Sequence, residues 1–177
     1  GEEALVPTGV DMKTLREVGK AISSVPDSFA TNPKIAKQLE AKRAMIETGE
    51  GLDWATAEAL AFGTLLLEDT HVRLSGQAVG RGTFSHRHAV LYDQNPEENY
   101  RPLSNIRSEQ AIFEVHDSPL SEAAVLGFDY GYSLDCPEGL VAWEAQFGDF
   151  ANAGQVIIDQ FIASAEDKWR RLSGLVM

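Results

Sequence analysis

The chain has 177 residues, a formal net charge of -12 and one cysteine, and these values exclude several classes of protein. A length within about 100 to 200 residues predicts one domain, or a small domain with a helical lead-in. Hydrophobic residues make up 44% and charged residues 24%, which is typical of a folded globular protein and not of a disordered or collagen-like chain. A single cysteine cannot form an internal disulfide, so a reducing compartment is expected.

The distribution of charge and apolar residues opposes binding to nucleic acid and insertion into a membrane. Between Ser108 and Asp167 the sequence holds twelve acidic residues and neither Lys nor Arg, so this segment carries the whole negative excess. Affinity for nucleic acid depends on Lys and Arg contacts to phosphates, and no nucleic-acid partner is therefore expected. The longest uncharged apolar stretch, Ala59 to Leu67, has about half of the roughly 20 residues that a membrane helix needs, so we expect no membrane span.

Hydrophobic spacing and turn residues predict the elements of the first half. An amphipathic helix is predicted where apolar residues recur at three- and four-residue steps, at Met12, Leu15, Val18 and Ile22. Asn32 followed by Pro33 is the start signal of a second helix, and a turn-rich loop precedes it. A third helix is predicted from Asp53 to Glu68. Strands are then predicted within THVRLSG and within HAVLYD.

The second half alternates regularly between predicted strands and helices. A polar, proline-containing loop is predicted from Asn95 to Ser108. After it, AIFEV, GLVAWEA and SGLVM are typical of strands, whereas SEAAVLGFDYGYSLD and the longer ANAGQVIIDQFIASAEDKW are typical of helices. This alternation predicts an α/β fold with a mostly parallel sheet and helices on both faces. Because an apolar strand stops at Met177, we expect the chain to be part of a longer protein.

Cationic and imidazole side chains are concentrated in the segment GQAVGRGTFSHRH, which supplies Arg81, His86, Arg87 and His88. Such a cluster in an acidic chain indicates anion binding, although the arginines can instead pair with carboxylates of the acidic segment. On a strand, His86 and His88 would point to the same side, but the sequence supplies no third ligand and we predict no metal site. The glycine spacing does not match a phosphate-binding Walker loop.

A second segment, DSPLSEAAVLGF, has Glu122 at the start of an apolar helix that follows a strand. In a parallel α/β sheet this position lies at the carboxyl end of the strand, where ligands bind. A purely structural role is the alternative, in which Ser121 caps the helix and the carboxylate interacts favourably with the helix dipole. The residues alone leave both roles open.

Four strings carry a resemblance to a known family: GEGLDWATAEALAFG, VRLSGQAVGRGTFSHRHAVLYDQ, SPLSEAAVLGFDYGYS and WEAQFGDFANAGQVIIDQFI. They resemble the thiamine-diphosphate-dependent E1 components of the 2-oxoglutarate dehydrogenase complex. Within those enzymes they are similar to the transketolase-like pyrimidine-binding domain and the helical connector before it. The resemblance implies a connector over residues 1–50 and a pyrimidine-binding domain over residues 51–177 that is truncated at its C-terminal end. The sister 2-oxoadipate E1 shares the most specific strings, RGTFSHRH and WEAQFGDF.

The resemblance implies an oxidative decarboxylation and a set of partners. In the family, 2-oxoglutarate is decarboxylated with thiamine diphosphate, and the succinyl group passes to a lipoyl group on the E2 succinyltransferase. The cofactor is shared across the subunits of a homodimer, and its Mg2+ is held by another domain, so no magnesium ligands are expected in this chain. The implied location is the bacterial cytoplasm or the mitochondrial matrix. The alternatives are a 2-oxoadipate E1 and a non-catalytic dimerisation or scaffold module, and the isolated piece is expected to be inactive.

The resemblance also implies which residues contact the cofactor. Glu122 is implied to be catalytic, because in the family one glutamate hydrogen-bonds the N1′ atom of the aminopyrimidine and shares a proton with it. Leu120 and Phe147 match positions that contact the pyrimidine ring, Phe147 by stacking, with core packing as the alternative for both. The helix from Ser121 to Leu134 is expected to face a second subunit, and its small residues are Ala123, Ala124 and Gly127.

The substrate end of the site is implied to involve the segment RGTFSHRH. A dicarboxylic 2-oxo acid needs cationic groups or hydrogen-bond donors for its distal carboxylate, and we assign that role to His86, His88 and Arg81. Ala78 stands where the family usually has an aspartate. A carboxylate that could pair with Arg81 is therefore absent from this loop.

Overall fold

The computed structural model describes residues 6–95 and 98–177, and at its centre lies a parallel sheet flanked by helices. The first five residues of the connector predicted over residues 1–50, and two residues of the loop predicted from Asn95 to Ser108, lie outside these ranges. Within the two ranges, no helix combines the length and the apolar character needed to cross a membrane.

Three helices form the amino-terminal part of the structure, at the positions that hydrophobic spacing predicts. They are α1 (Met12–Ile22), α2 (Pro33–Thr48) and α3 (Trp54–Leu67). Each begins after a residue whose side chain accepts a hydrogen bond from a backbone N–H of the first turn. The distances are 2.8 Å for Asp11, 2.9 Å for Asn32 and 2.7 Å for Asp53. These caps satisfy backbone donors that the start of a helix otherwise leaves free.

Glycine at two positions lets α1 pack closely against its neighbours. A Cβ atom at Gly19 would lie 2.4 Å from the Ile46 side chain of α2, and one at Gly63 of α3 would lie 2.2 Å from Val18. Because any larger residue would separate these helices, both positions require glycine. Val18 and Ile22 thereby enter the same hydrophobic core as α3, so the predicted connector shares its core with the residues that follow it.

The described part of the chain contains five strands: β1 (Val72–Gly76), β2 (Leu91–Tyr92), β3 (Asn99–Tyr100), β4 (Phe113–Asp117) and β5 (Leu140–Glu144). The main sheet has the order β4-β1-β5 with both pairs parallel, and β2 pairs with β3 in a separate antiparallel ribbon. The last predicted strand, SGLVM, is reduced to one parallel bridge between Val176 and Ala142. The prediction of a mostly parallel α/β sheet is confirmed.

The alternation of side chains along β1 explains why helices cover both faces. Val72 and Leu74 join the core formed with α1 and α3, whereas Arg73 and Ser75 face α4 (Glu122–Asp135). On that second face the fully buried Asp129 accepts hydrogen bonds from the Arg73 Nε, at 3.1 Å, and from the Ser75 hydroxyl. The Arg73 guanidinium also donates to Glu114 at 3.0 Å. A buried ionic network therefore fixes α4 on the sheet.

The prediction of one long amphipathic helix from Ala151 to Trp169 is wrong in detail. The chain instead forms a 3-10 helix (Gly148–Gly154), α5 (Gln155–Ile157), a π-helix (Ile158–Ile162) and α6 (Ala165–Trp169). A Cβ atom at Gly154 would lie 2.8 Å from Leu126 of α4, so the 3-10 turn meets α4 closely there. Ile157, Ile158 and Ile162 all pack on the cluster around Leu126. Contacts with α4 thus override the regular helical winding.

The Asp129 network yields a test of stability. Replacing Asp129 with Ala leaves Arg73 with Glu114 as its remaining carboxylate partner and leaves the buried Ser75 hydroxyl without its acceptor, so the free energy of unfolding should fall by about 1.5–3 kcal/mol. Denaturant unfolding of the chain followed by circular dichroism measures this change. Asp135→Ala on the same helix, where the carboxylate is exposed and pairs with no described cation, is the matched control and should leave stability unchanged. Equal stabilities of the two variants would contradict the structural role of the network.

Candidate functional site

The carboxyl ends of the three parallel strands meet at one edge of the sheet. Gly76 of β1 is level with Asp117 of β4 and with Glu144 of β5. The segments that follow these strand ends contain every site residue proposed from the sequence, at positions 78–88, 120–122 and 147. Residues far apart in the chain are therefore brought to the edge at which parallel α/β proteins bind ligands.

Glu122 occupies the first turn of α4 with its side chain buried. It is 6% exposed, and its Oε1 accepts a hydrogen bond from the backbone N–H of Gln146 at 3.1 Å. Its Oε2 is also buried and has no hydrogen-bond partner among the described residues. Ser121 caps the helix by accepting from the Ala124 N–H at 3.3 Å, so the cap does not require Glu122. A buried carboxylate oxygen without a partner is costly and indicates a ligand that donates a hydrogen bond.

Leu120 and Phe147 are not part of the core, so the alternative of core packing is wrong for both. Their side chains are 51% and 46% exposed. The Phe147 ring meets the rings of Phe84 and Phe150 edge to face, at centroid distances of 6.1 and 5.8 Å. The Gln77 side chain donates to the Leu120 carbonyl at 3.1 Å and ties the loop after β1 to the loop after β4. Exposed apolar side chains therefore lie close in sequence to both ends of the Glu122–Gln146 hydrogen bond: Leu120 is two residues before Glu122, and Phe147 directly follows Gln146.

His86 lies on the Phe147 side of the site. Phe84 lies between them, with centroid distances of 6.3 Å to the His86 ring and 6.1 Å to the Phe147 ring. Gly82 makes room for the imidazole, because a Cβ atom at Gly82 would lie 2.4 Å from the His86 ring. Of the three residues assigned to the substrate, His86 is the one linked to Phe147 through an intervening aromatic ring, that of Phe84.

Arg81 and His88 line a different cavity, of about 370 Å³, together with Lys34 and other residues of α2. The lining of this cavity includes neither Glu122 nor Phe147. Burial lowers the pKa of the His88 imidazole, and the charges of Lys42 and Arg81 lower it further, so the ring is uncharged at neutral pH. His88 also lines a second cavity, of about 170 Å³, together with His86, Lys42 and Asp53, so the structure places the two histidines beside one shared cavity.

The segment that carries both histidines is not a strand, which corrects the prediction that they share one side of it. Ser85 and His88 have positive φ values, 53° and 47°, which an extended strand cannot contain. The strand predicted within HAVLYD accordingly begins only at Leu91. Within residues 6–95 and 98–177, no group of three or more His, Cys, Asp or Glu side chains is arranged to hold a metal.

Arg87 is a buried structural residue, as the alternative reading of the cationic cluster anticipated. Its guanidinium donates at 3.0 Å to a carboxylate oxygen of Glu58 of α3, and at 3.0 Å to one of Glu144 of β5. It also donates to the Val79 carbonyl at 2.9 Å. Burial opposes the charge, but the hydrogen bonds to Glu144 and Glu58 outweigh it and raise the Arg87 pKa. Arg81 is exposed, and within the described residues its side chain bonds only the Gly82 carbonyl.

Sequence reasoning missed Thr83 and Gln146. The Thr83 hydroxyl donates to the Gln146 carbonyl at 3.0 Å, and the Gln146 N–H holds the Glu122 carboxylate. Both contacts use backbone atoms of Gln146, which any residue type would supply, so no residue pattern signals them. The strings RGTF and EAQF, which contain these residues, are the only sequence signal.

Comparison with known proteins agrees with this geometry. Residues 50–177 match the family described as "Transketolase, pyrimidine binding domain". The chain is 59% identical over 169 residues to a protein of Brucella anthropi named "2-oxoglutarate dehydrogenase E1 component", and 57% identical over 170 residues to one of Rickettsia felis with the same name. A Brucella ovis protein of that name is 57% identical over 175 residues. The matches cover 96%, 96% and 99% of this chain but 17% of each relative's length.

The loop at Ala78 gives a second test of stability. Ala78 has a φ of 56°, a left-handed conformation that disfavours residues with a Cβ atom. Ala78→Gly should therefore raise the free energy of unfolding by about 0.5–1 kcal/mol. Denaturant unfolding measures the change. The same substitution at the exposed helical residue Ala57 is the control and should lower stability by about 1 kcal/mol. A loss of stability in Ala78→Gly would show that this conformation carries no strain.

Proposed function

The chain belongs to the family of transketolase pyrimidine-binding domains, and on this premise we propose that it forms the pyrimidine half of a thiamine diphosphate site. The single observation that carries the proposal is the buried, unpartnered Oε2 of Glu122 at the carboxyl edge of the sheet. The names of the relatives support a 2-oxoglutarate dehydrogenase E1 component as the whole protein. The chain spans about one sixth of the length of those relatives. That enzyme decarboxylates 2-oxoglutarate and passes the succinyl group to a lipoyl group on E2.

The residues at the edge fit an aminopyrimidine ring. Glu122 offers one free carboxylate oxygen, and Phe147 and Leu120 offer exposed apolar surface beside it. When bound, thiamine diphosphate supplies a thiazolium carbon that, once deprotonated, adds to the keto group of the substrate. Glu122 would hold the shared proton at Oε2, toward the ring nitrogen. The hydrogen bond from the Gln146 N–H to Oε1 restrains rotation of the carboxyl group and would leave Oε2 for the ring.

The diphosphate and its Mg2+ belong to another domain in this proposal, and the cofactor is shared between subunits. The acidic segment from Ser108 to Asp167 would repel a diphosphate, because it contains neither Lys nor Arg. Asp149 adds an exposed carboxylate two residues after Phe147. These observations support a site whose cationic half lies outside this chain.

The substrate is proposed to meet His86 first, because His86 is joined to Phe147 through Phe84. Arg81 and the uncharged His88 are proposed to bind a carboxylate group from the cavity beside α2. An exposed guanidinium and a neutral imidazole donor suit the distal carboxylate of a dicarboxylic 2-oxo acid. The bacterial relatives support a cytoplasmic location, which forms part of the same proposal.

A homodimer is proposed to form through the outer face of α4. Ala124, Phe128 and Gly131 follow one another at helical spacing and are all exposed, Phe128 by 57%. The sequence assigned Gly127 to the same contact, but this position faces its own chain. A Cβ atom placed at Gly127 would lie 3.7 Å from the Ile157 side chain. Small residues beside one large aromatic ring support close packing of two such helices about a two-fold axis.

The role of Glu122 is tested by Glu122→Gln in the full-length enzyme. This substitution removes the carboxyl group that shares the proton but changes the volume little, so turnover should fall by about 100-fold or more. Decarboxylation assays and thermal melting are measured on the same samples. Glu138→Gln, at an exposed loop position, is the control and should leave turnover unchanged. Near-normal turnover of Glu122→Gln, or loss of its fold, would rule out the catalytic role.

The dimer is tested by Phe128→Glu in the full-length enzyme. A charge on the buried face of a helix pair is strongly unfavourable, so the variant should dissociate to monomers. Light scattering coupled to size exclusion measures the molar mass. Trp54→Glu alters an aromatic residue that is 93% exposed on α3 and should remain dimeric. A dimeric Phe128→Glu variant would show that the subunits meet elsewhere.

A further inference from the structure

The backbone of Gln146, which bonds Glu122 and precedes Phe147, is held by two hydrogen bonds. The Gln146 N–H donates to the Glu122 Oε1 at 3.1 Å, and the Gln146 carbonyl accepts from the Thr83 hydroxyl at 3.0 Å. The carbonyl of Gln146 and the N–H of Phe147 belong to the same planar peptide unit. The Thr83 hydrogen bond therefore fixes the plane from which the Phe147 side chain starts.

Thr83 is itself part of a restrained loop. The Arg87 guanidinium ties this loop to the end of β5 through Glu144, and its bond to the Val79 carbonyl closes the loop on itself. The Arg87 N–H also donates to the Arg81 carbonyl at 3.0 Å. The Thr83 hydroxyl therefore donates to the Gln146 carbonyl from a loop that is itself held in place.

We propose that Thr83 is a positioning residue that sets the Glu122 carboxylate and the Phe147 ring through Gln146. This inference rests on the proposed function, because it assumes that both residues face the pyrimidine ring. Without the hydroxyl, the Gln146–Phe147 peptide unit can rotate about the Gln146 Cα, and the start of the Phe147 side chain rotates with it. The Gln146 N–H belongs to the preceding peptide unit, which shares that Cα, so the loosened segment also weakens its hydrogen bond to the Glu122 Oε1.

The test compares Thr83→Val with Thr83→Ser in the full-length enzyme. Valine keeps the shape of threonine without its donor, whereas serine keeps the donor. Two quantities are measured: amide hydrogen exchange of the peptide containing Gln146 in cofactor-free enzyme, and hydrogen–deuterium exchange at the thiazolium C2 of saturating bound thiamine diphosphate. In Thr83→Val, amide exchange should rise and C2 exchange should fall, each by about three- to tenfold, which is the range expected for one lost hydrogen bond.

Thr83→Ser should restore both rates to near the wild-type values, and the melting temperature should be the same in all three proteins. Wild-type rates in Thr83→Val, or equal loss in the valine and serine variants, would overturn the positioning role. Glu122→Gln, measured alongside, separates the two proposals. If C2 exchange is normal in Glu122→Gln, the proposed function fails. If C2 exchange is lost in Glu122→Gln but normal in Thr83→Val, only the role of Thr83 fails.

Discussion

One oxygen of the buried Glu122 carboxyl group is hydrogen-bonded, whereas the other has no partner in the described part of the chain. The contacts at the carboxyl edge of the sheet are organised around this difference. The Glu122 Oε1 is satisfied by the Gln146 N–H, while the Oε2 has no donor among the described residues. Folding a buried oxygen without a partner lowers stability, so the surrounding contacts must hold it there. Ser121 supplies the helix cap, and Thr83 fixes Gln146. The cost is recovered when a ligand supplies the missing donor.

The charge distribution of the sequence acquires a structural meaning in the sheet. The acidic segment has no cation of its own, yet three of its carboxylates are paired in the structure. Arg73 of β1 serves Glu114 and Asp129, and Arg87 of the following loop serves Glu144. Because breaking such pairs leaves a buried charge, the two arginines bind the acidic second half of the chain to the first half.

Sequence patterns predicted the helices and strands whose periodicity and caps are local, and failed where tertiary contacts decide. The start signal at Asn32 is correct because capping depends on neighbouring residues, and Asp11 and Asp53 cap the other two helices in the same local way. The final helix is interrupted because its isoleucines follow the surface of α4, which no local pattern encodes. Glu122 was found through its place after a strand and through the family resemblance. Thr83 was missed because its partner is a backbone carbonyl 63 residues away.

The most direct measurement is a crystal structure of the full-length enzyme with thiamine diphosphate and Mg2+. We expect the Glu122 Oε2 to lie about 2.5–3.0 Å from the N1′ atom of the aminopyrimidine, while Oε1 keeps the Gln146 N–H. The Phe147 ring should lie against the pyrimidine ring. A pyrimidine bound elsewhere, or a Glu122 Oε2 that bonds a protein donor from another domain in the presence of the cofactor, would show that Glu122 does not hold the cofactor ring.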